Sequence, residues 1–145
     1  MKLNAYLTFN GNCAQAFAYY AEHLGGQIVA SMKFGDAPEG GGGGPELADK
    51  IMHTCMTIGA QTLMGSDAVP QYCPYEAPKG ISVALHPESV EEAERVFAAL
   101  SANGKVEMPL QQTFWATRFG TCTDQFGVPW MVNYVDASTA DCPKP

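Results

Sequence analysis

The side chains whose unperturbed chemistry suits proton transfer near pH 7 are few in this sequence, and they are scattered. The histidines are His23, His53 and His86. His53 lies in IMHTCMTI (residues 51–58), a run with the alternation of a strand. Met52, Thr54, Met56 and Ile58 share one side, which suits packing under a helix, so His53, Cys55 and Thr57 are expected to face a cavity. Two readings compete for His53. One is a buried imidazole satisfied by a backbone carbonyl. The other is a general base or a donor to substrate, work that suits a neutral imidazole near pH 7. His23 falls in the last turn of a helical pattern, where a cation meets the helix dipole, and His86 precedes Pro87 at a strand end; both read as structural.

The second concentration of chemistry is TFWATRFGTCTDQFGVPWMVN, residues 113–133, which holds both tryptophans. Trp130 is in phase with Val132 and Tyr134 and reads as core. Phe114 and Trp115 precede the strand and are expected at a rim, where an amphipathic ring stays partly open. Arg118 is one of only 8 basic residues and, beside Trp115, is a candidate to stack or to grip a carboxylate bidentately. Asp124 reads as a turn residue. Asp67, closing LMGSD, either lines the mouth of a cavity or caps a loop. The candidate set is therefore His53 as the catalytic group, with Tyr6, Phe114, Trp115, Arg118 and Asp67 as ligand-binding residues. Cys55 and Cys122 read as small packed residues, since no cation stands near them to favour a thiolate.

Composition bounds what these residues can serve. A chain of 145 residues fits one domain with a core of its own. A net charge of -7 leaves no basic stripe for phosphates, so nucleic acid is not an expected partner. The 5 cysteines are odd in number and form no Cys-x-x-Cys pair, which argues against a disulfide framework or a zinc ribbon. No apolar run reaches the roughly 18 residues of a membrane span, and MKLNAYLTF lacks a secretory signal, so the expectation is a reduced, cytoplasmic protein.

The elements that must position these groups come in two similar sets. NCAQAFAYYAEHLGG (12–26) and SVEEAERVFAALSANG (89–104) each open like a capping box, Asn12 with Gln15 and Ser89 with Glu92. Behind each cap the apolar residues recur at helical spacing: Cys13, Ala16, Phe17, Tyr20 and Leu24, then Val90, Ala93, Phe97 and Leu100. Both helices are expected to end at glycine, Gly25 and Gly104. A strand-like run precedes each helix, NAYLTFN and GISVALH. Downstream, TCMTIGAQTLM (54–64) matches TCTDQFGVPWM (121–131), each a pair of strands about a turn, a match that sets His53 against Gly120. Either half thus reads strand, helix, strand, strand, strand. One helix cannot close a core over four strands alone, so two βαβββ modules are expected to pair in an α+β domain with a curved, cup-shaped mixed sheet. The modules run from about 2 to 67 and from about 79 to 135, with a Gly-rich insertion at 35–49 and a tail at 136–145. The run Gly40–Gly44 leads into Pro45 and ELADK with no amphipathic helix behind it, which makes it a flexible connection rather than a phosphate loop.

Four stretches, YLTFNGNCAQAFAYYAEHLGG, DKIMHTCMTIGAQTLMGSDA, NGKVEMPLQQTFWATRFG and TDQFGVPWMVN, resemble the PhnB-like branch of the vicinal oxygen chelate superfamily, the glyoxalase and bleomycin-resistance fold. The resemblance runs from Lys2 to about Val135. Some members of the branch carry a 3-demethylubiquinone 3-methyltransferase label, which the lack of any cofactor loop here does not support. The resemblance implies paired βαβββ modules, a cup-shaped site and a homodimer. Metal-dependent members of the superfamily hold a divalent ion with His from a first strand and Glu from a last one. Here the first strands, Leu3–Phe9 and Gly80–Leu85, contain no His, Glu or Asp. The glutamate position, four residues beyond Gly127, is Met131, and its repeat partner is Met64. Thioethers are poor ligands for hard divalent ions. The expectation is therefore a protein that binds a small organic molecule in an aromatic-lined cup with no metal and no cofactor. The alternatives are a metal-dependent lyase, isomerase or transferase of this superfamily, and a metal-free acid–base enzyme using His53.

Overall fold

The computed structural model describes residues 1–38 and 44–137. The glycines at 40–43 and the tail from 138 onward, including Cys142, lie outside the described residues. The chain divides into two compact units, Met1–Glu76 and Ala77–Pro145.

The first unit runs β1 (Ala5–Phe9), α1 (Cys13–Leu24), β2 (Gln27–Lys33), β3 (Ile51–Ile58) and β4 (Gln61–Asp67), with 3-10 turns at Phe34–Asp36 and Pro45–Leu47 between β2 and β3. The second runs β5 (Val83–Leu85), α2 (Val90–Ser101), β6 (Lys105–Gln111), β7 (Arg118–Thr123) and β8 (Pro129–Tyr134). Their sheets are ordered β1-β4-β3-β2 and β5-β8-β7-β6, the same arrangement twice. In each, the first strand pairs parallel with the last and the other pairings are antiparallel. The βαβββ repeat read in the sequence is the architecture of each unit. No helix among the described residues is long and apolar enough to cross a membrane.

Each helix covers one face of its sheet. Cys13, Ala16, Phe17 and Tyr20 are buried from α1, and Ala93, Val96, Phe97 and Leu100 from α2. Close contact depends on a glycine in each sheet. A Cβ on Gly65 would stand 2.7 Å from the Phe17 ring, and one on Gly120 would stand 2.8 Å from that of Phe97. These contacts mark the helix-covered faces: Leu7, Thr54, Leu63 and Gly65 in the first sheet, Gly120, Cys122, Trp130 and Val132 in the second. A buried phenylalanine of this kind contributes about 2 kcal/mol.

The two helices start differently. At α2 the Ser89 hydroxyl accepts the Glu92 N–H at 3.0 Å, as the capping box requires, while the Glu92 carboxylate accepts the N–H of Glu88 at 2.8 Å. At α1 the expected box does not form, because Asn12 makes no side-chain cap. Its place is taken by Asp67 at the end of β4, whose carboxylate accepts the Cys13 N–H at 3.0 Å and the Ile51 N–H at 2.8 Å. A full charge at a helix N-terminus serves better than a neutral amide, and it ties α1 to β3 and β4 at once. The helix ends also differ. α1 ends at Gly25 in the left-handed region, as expected. α2 ends earlier, with Asn103 rather than Gly104 left-handed. Gly104 is needed for space, since a Cβ there would collide with the Thr123 carbonyl.

The hairpins correct the sequence match. β3 and β4 join through two residues, Ile58 pairing with Gln61, whereas Thr123 pairs with Pro129 across a longer loop. Counting back from the loops, Met64 faces Cys55 and Met131 faces Thr121. Met64 and Met131 do correspond, but their partner strands are offset by one residue from the match TCMTIGAQTLM with TCTDQFGVPWM. An offset of one changes the side of the sheet. Gly120 therefore lies under α2 and is not the counterpart of His53; Phe119 is.

The longer loop closes on Asp124, which is buried. Its Oδ1 accepts the N–H groups of Phe126 and Val128, each at 2.9 Å, and its Oδ2 accepts Nε1–H of the buried Trp130 at 2.8 Å. Both the turn role of Asp124 and the core role of Trp130 are as expected, and one carboxylate joins them. Asp124→Ala leaves these buried donors without their acceptor and should destabilise the protein by about 3 kcal/mol or more in urea titration. A loss below about 1 kcal/mol would show that the loop holds without the carboxylate.

Candidate functional site

With one face of each sheet under its helix, the other carries the side chains that alternate with the core. In the first unit alternation places Tyr6 from β1, His53 and Cys55 from β3 and Met64 from β4 on that open face, as the sequence pattern required for His53. Tyr6 lies opposite Met64, and Met32 of β2 lies opposite His53. The Tyr6 hydroxyl is 3.1 Å from His53 Nδ1, and the rings stack with centroids 5.7 Å apart at 25°. The partner of the imidazole is thus a phenol, not a backbone carbonyl. If the phenol donates to Nδ1, Nε2 carries the proton and is a donor; in the other tautomer Nε2 is an acceptor. Tyr6 is 48% exposed and His53 half-buried, so the pair is within reach of a small molecule.

In the second unit the aromatic run forms a chain of edge-to-face contacts. Phe114 meets Trp115 at 4.7 Å, and Trp115 meets Phe119 at 5.1 Å. Exposure falls along it, from 89% at Phe114 through a half-buried Trp115 to a buried Phe119. Phe114 is therefore open to solvent and Trp115 partly so, ahead of β7.

Arg118 and Asp67 are directed elsewhere. Arg118 alternates with Gly120 and Cys122 onto the α2 side, where its Nε stands 3.5 Å from Glu94 Oε1 and its Nη1 donates to the Thr117 carbonyl at 2.8 Å. It was placed beside Trp115 by nearness in sequence, but Trp115 precedes the strand and leans on Phe119, on the opposite face. Asp67 is 3% exposed and its two oxygens accept backbone N–H groups, which makes it the loop cap of its two readings.

The sequence reading missed a cleft of about 500 Å³ in the second unit, lined by Ile81, Ser82, Glu107, Thr121, Thr123 and Met131 among others. It does not include the aromatic run. The Thr123 hydroxyl donates to Oε1 of the exposed Glu107 at 2.9 Å. The signal was present in TCT (121–123): a buried Cys122 obliges two hydroxyls to the open face. Among the described residues no three His, Cys, Asp or Glu side chains are grouped to hold a metal ion.

Two βαβββ units with this strand order define the glyoxalase and bleomycin-resistance fold of the vicinal oxygen chelate superfamily. The chain belongs to the family described as 3-demethylubiquinone-9 3-methyltransferase, which it matches over residues 1–133. It is similar to protein PA1353 from Pseudomonas aeruginosa, a crystal structure with 50% identity, a TM-score of 0.86 and 93% and 98% of the two chains covered. Protein YjdN of Escherichia coli K12 is 41% identical, over 93% of this chain and 96% of its own. A Bacillus cereus PhnB protein, described as a putative 3-demethylubiquinone-9 3-methyltransferase, is 25% identical with a TM-score of 0.74, covering 93% of this chain and all of its own. The fold alone extends to the fosfomycin resistance protein FosX of Listeria monocytogenes, at 10% identity, a TM-score of 0.61 and 96% of each chain.

Two thiols in the helix-covered cores are held protonated. Burial, helped by the Asp67 charge, pushes Cys13 up to about 12, and burial with Asp124 and Glu107 pushes Cys122 up to about 11. Neither is a nucleophile at neutral pH. A thiol whose folded pKa exceeds the ordinary 9.0 keeps its proton longer folded than unfolded. Its contribution to stability is therefore complete below about pH 9 and is lost as pH rises through the folded value. The urea midpoint should fall between about pH 9 and 11, less steeply in Cys122→Ala. In native protein, iodoacetamide at about pH 8 should alkylate the exposed Cys73 and spare Cys13 and Cys122 until urea is added. Peptide mass spectrometry reads both; rapid native labelling of Cys122 would contradict its placement under α2.

Proposed function

We propose that this PhnB-like, glyoxalase-fold chain binds a small organic molecule on the open faces of its sheets, without a divalent ion, as a cytoplasmic homodimer. The observation that carries the reading is the Tyr6–His53 pair, a hydrogen-bonded phenol and imidazole left accessible on a face that no helix covers. Aromatic rings with a few polar groups are what small-molecule sites are made of. The rim of Phe114 and Trp115 and the cleft beside Thr121 and Met131 add apolar surface and hydroxyls of the same kind.

The residues present do not fit the superfamily's divalent ion. On the open faces the two corresponding last-strand positions hold Met64 and Met131, beside Tyr6 and Ala84 on the first strands. A thioether flanked by a phenol or a methyl group offers nothing to a hard cation. This disfavours the metal-dependent enzyme relative to binding. Metal-free acid–base chemistry by His53 is the second reading, favoured by its contact with Tyr6, which orients the ring. Pairing of two chains is supported by the edge strands β2 and β6, which expose Ile28, Val29 and Met32, and Val106 and Met108.

Untagged protein dialysed against buffer should hold no stoichiometric divalent ion by elemental analysis and should scatter light as about twice its chain mass. Bound zinc or nickel, or a monomer at micromolar concentration, would contradict the respective parts. Small carboxylates, quinones and glutathione adducts, screened by indole fluorescence, should yield a ligand whose affinity Trp115→Ala lowers by roughly 2 kcal/mol. His53→Ala then separates the two functions. Under binding alone it costs about 1 kcal/mol of affinity, the worth of one hydrogen bond. Under acid–base catalysis it lowers turnover by about 100-fold or more with binding nearly intact. Unchanged affinity in both variants for every ligand found would remove these residues from the site.

A further inference from the structure

Strand β6 carries an extra residue where it runs beside the cleft. Val106 pairs with Cys122 and Met108 with Thr121, so Glu107 forms a β-bulge between them. Val106 shares the α2 side with Cys122, and alternation turns Glu107 to the open side, where the Thr123 hydroxyl donates to its Oε1 at 2.9 Å. The first unit bulges at the corresponding place. Ile28 pairs with Met56 and Ala30 with Cys55, with Val29 between them. The same backbone irregularity thus presents a valine in one sheet and a hydrogen-bonded carboxylate in the other. Bulges re-aim side chains beside functional sites, and here the side chain is a charge that lines a cavity of about 500 Å³.

The lining of that cleft divides by chemistry. Ser82, Thr121 and Thr123 supply hydroxyls, Ile81 and Met131 supply apolar surface, and among these described lining residues Glu107 alone is charged. Lys105, opposite Thr123, is exposed and does not line the cleft. A carboxylate has about four lone-pair sites, and the Thr123 bond occupies one of them. We propose that the cleft receives the ammonium group of a small organic amine, with Glu107 as its counter-ion and the Ser82 and Thr121 oxygens as further acceptors. The donors of a primary ammonium match these acceptors, and the apolar body of the ligand lies against Ile81 and Met131. A carboxylate in the same place would meet a like charge. This rests on the small-molecule reading proposed above and gives the second unit's open face a ligand class of its own. Glu107 is exposed, so its ion pair is screened by solvent and the discrimination it provides is modest.

2-Phenylethylamine and 2-phenylethanol share a ring and a chain and differ in the ammonium; phenylacetate carries the opposite charge. Each is titrated into the full chain, labelled with 15N, and the backbone amides of Thr121, Thr123 and Met131 are followed. At about pH 7 and low salt the amine should bind about fivefold more tightly than the alcohol, the upper end for an exposed ion pair, and phenylacetate should bind most weakly. Glu107→Gln keeps an acceptor for Thr123, removes the charge, and should bring the amine-to-alcohol ratio to about 1. Glu91→Gln removes an equal charge from the exposed side of α2 and should leave the ratio unchanged, which separates Glu107 from the chain's net charge of -7. Raising the salt to about 0.5 M should shrink the wild-type ratio. Equal affinities for amine and alcohol, a ratio that survives Glu107→Gln, or one that falls as far in Glu91→Gln would overturn the ammonium site while leaving binding in place. If none of the three compounds at millimolar concentration shifts the cleft amides, the cleft is not a site, and the fluorescence screen with the Trp115 and His53 variants tests the wider small-molecule reading separately.

Discussion

Each four-stranded sheet in this protein has a single helix to cover it, and most of what can be said about function depends on that imbalance. One face is dry, close-packed and closed to ligands; the other carries whatever alternation assigns to it. Which residues fall on which face is a matter of register, and register is held by buried carboxylates. Asp67 fastens the start of α1 and the start of β3 to the end of β4. Asp124 fastens a hairpin loop to the indole beneath α2. A slip of one residue in either hairpin would turn His53 or Met64, or Thr121 or Met131, into the helix side and expose core residues.

Much of the fold was legible because it rests on local, repeated signals. The capped apolar helices, the strands ahead of them and the paired strands behind gave the βαβββ unit twice over. The face assigned to His53 followed from its apolar neighbours Met52, Thr54, Met56 and Ile58, and Trp130 followed from its phase with Val132. What could not be read had a long-range cause. The cap of α1 comes from Asp67, distant in sequence, so Asn12 looked like a cap and was not. Arg118 seemed to belong with Trp115, yet its position within β7 sends it toward Glu94 on the helix side. The two hairpin loops differ in length, so an ungapped match paired His53 with Gly120 instead of Phe119. Tyr6 and His53 are an intermediate case: each was a candidate, but only strand order brings their rings together.

Membership of the 3-demethylubiquinone-9 3-methyltransferase family fixes ancestry and fold, and the open faces are where function has to be argued. Two thiols are closed off as nucleophiles, since Cys13 and Cys122 lie in the helix-covered cores and are pushed well above neutral pH. The groups on the open faces are a phenol–imidazole pair with Cys55 beside it, a graded aromatic chain and a few hydroxyls. These are the parts of a recognition surface, with one imidazole able to move a proton if a substrate offers one.

The most direct measurement is an electron-density map of crystals soaked with a panel of small aromatic and carboxylate compounds, with anomalous data to register any metal. The account predicts ligand density on the open faces, against Tyr6 and His53 or along Met131 toward Trp115, and no anomalous peak there. Ligands confined to other surfaces, or a divalent ion coordinated beside Met64 or Met131, would contradict it.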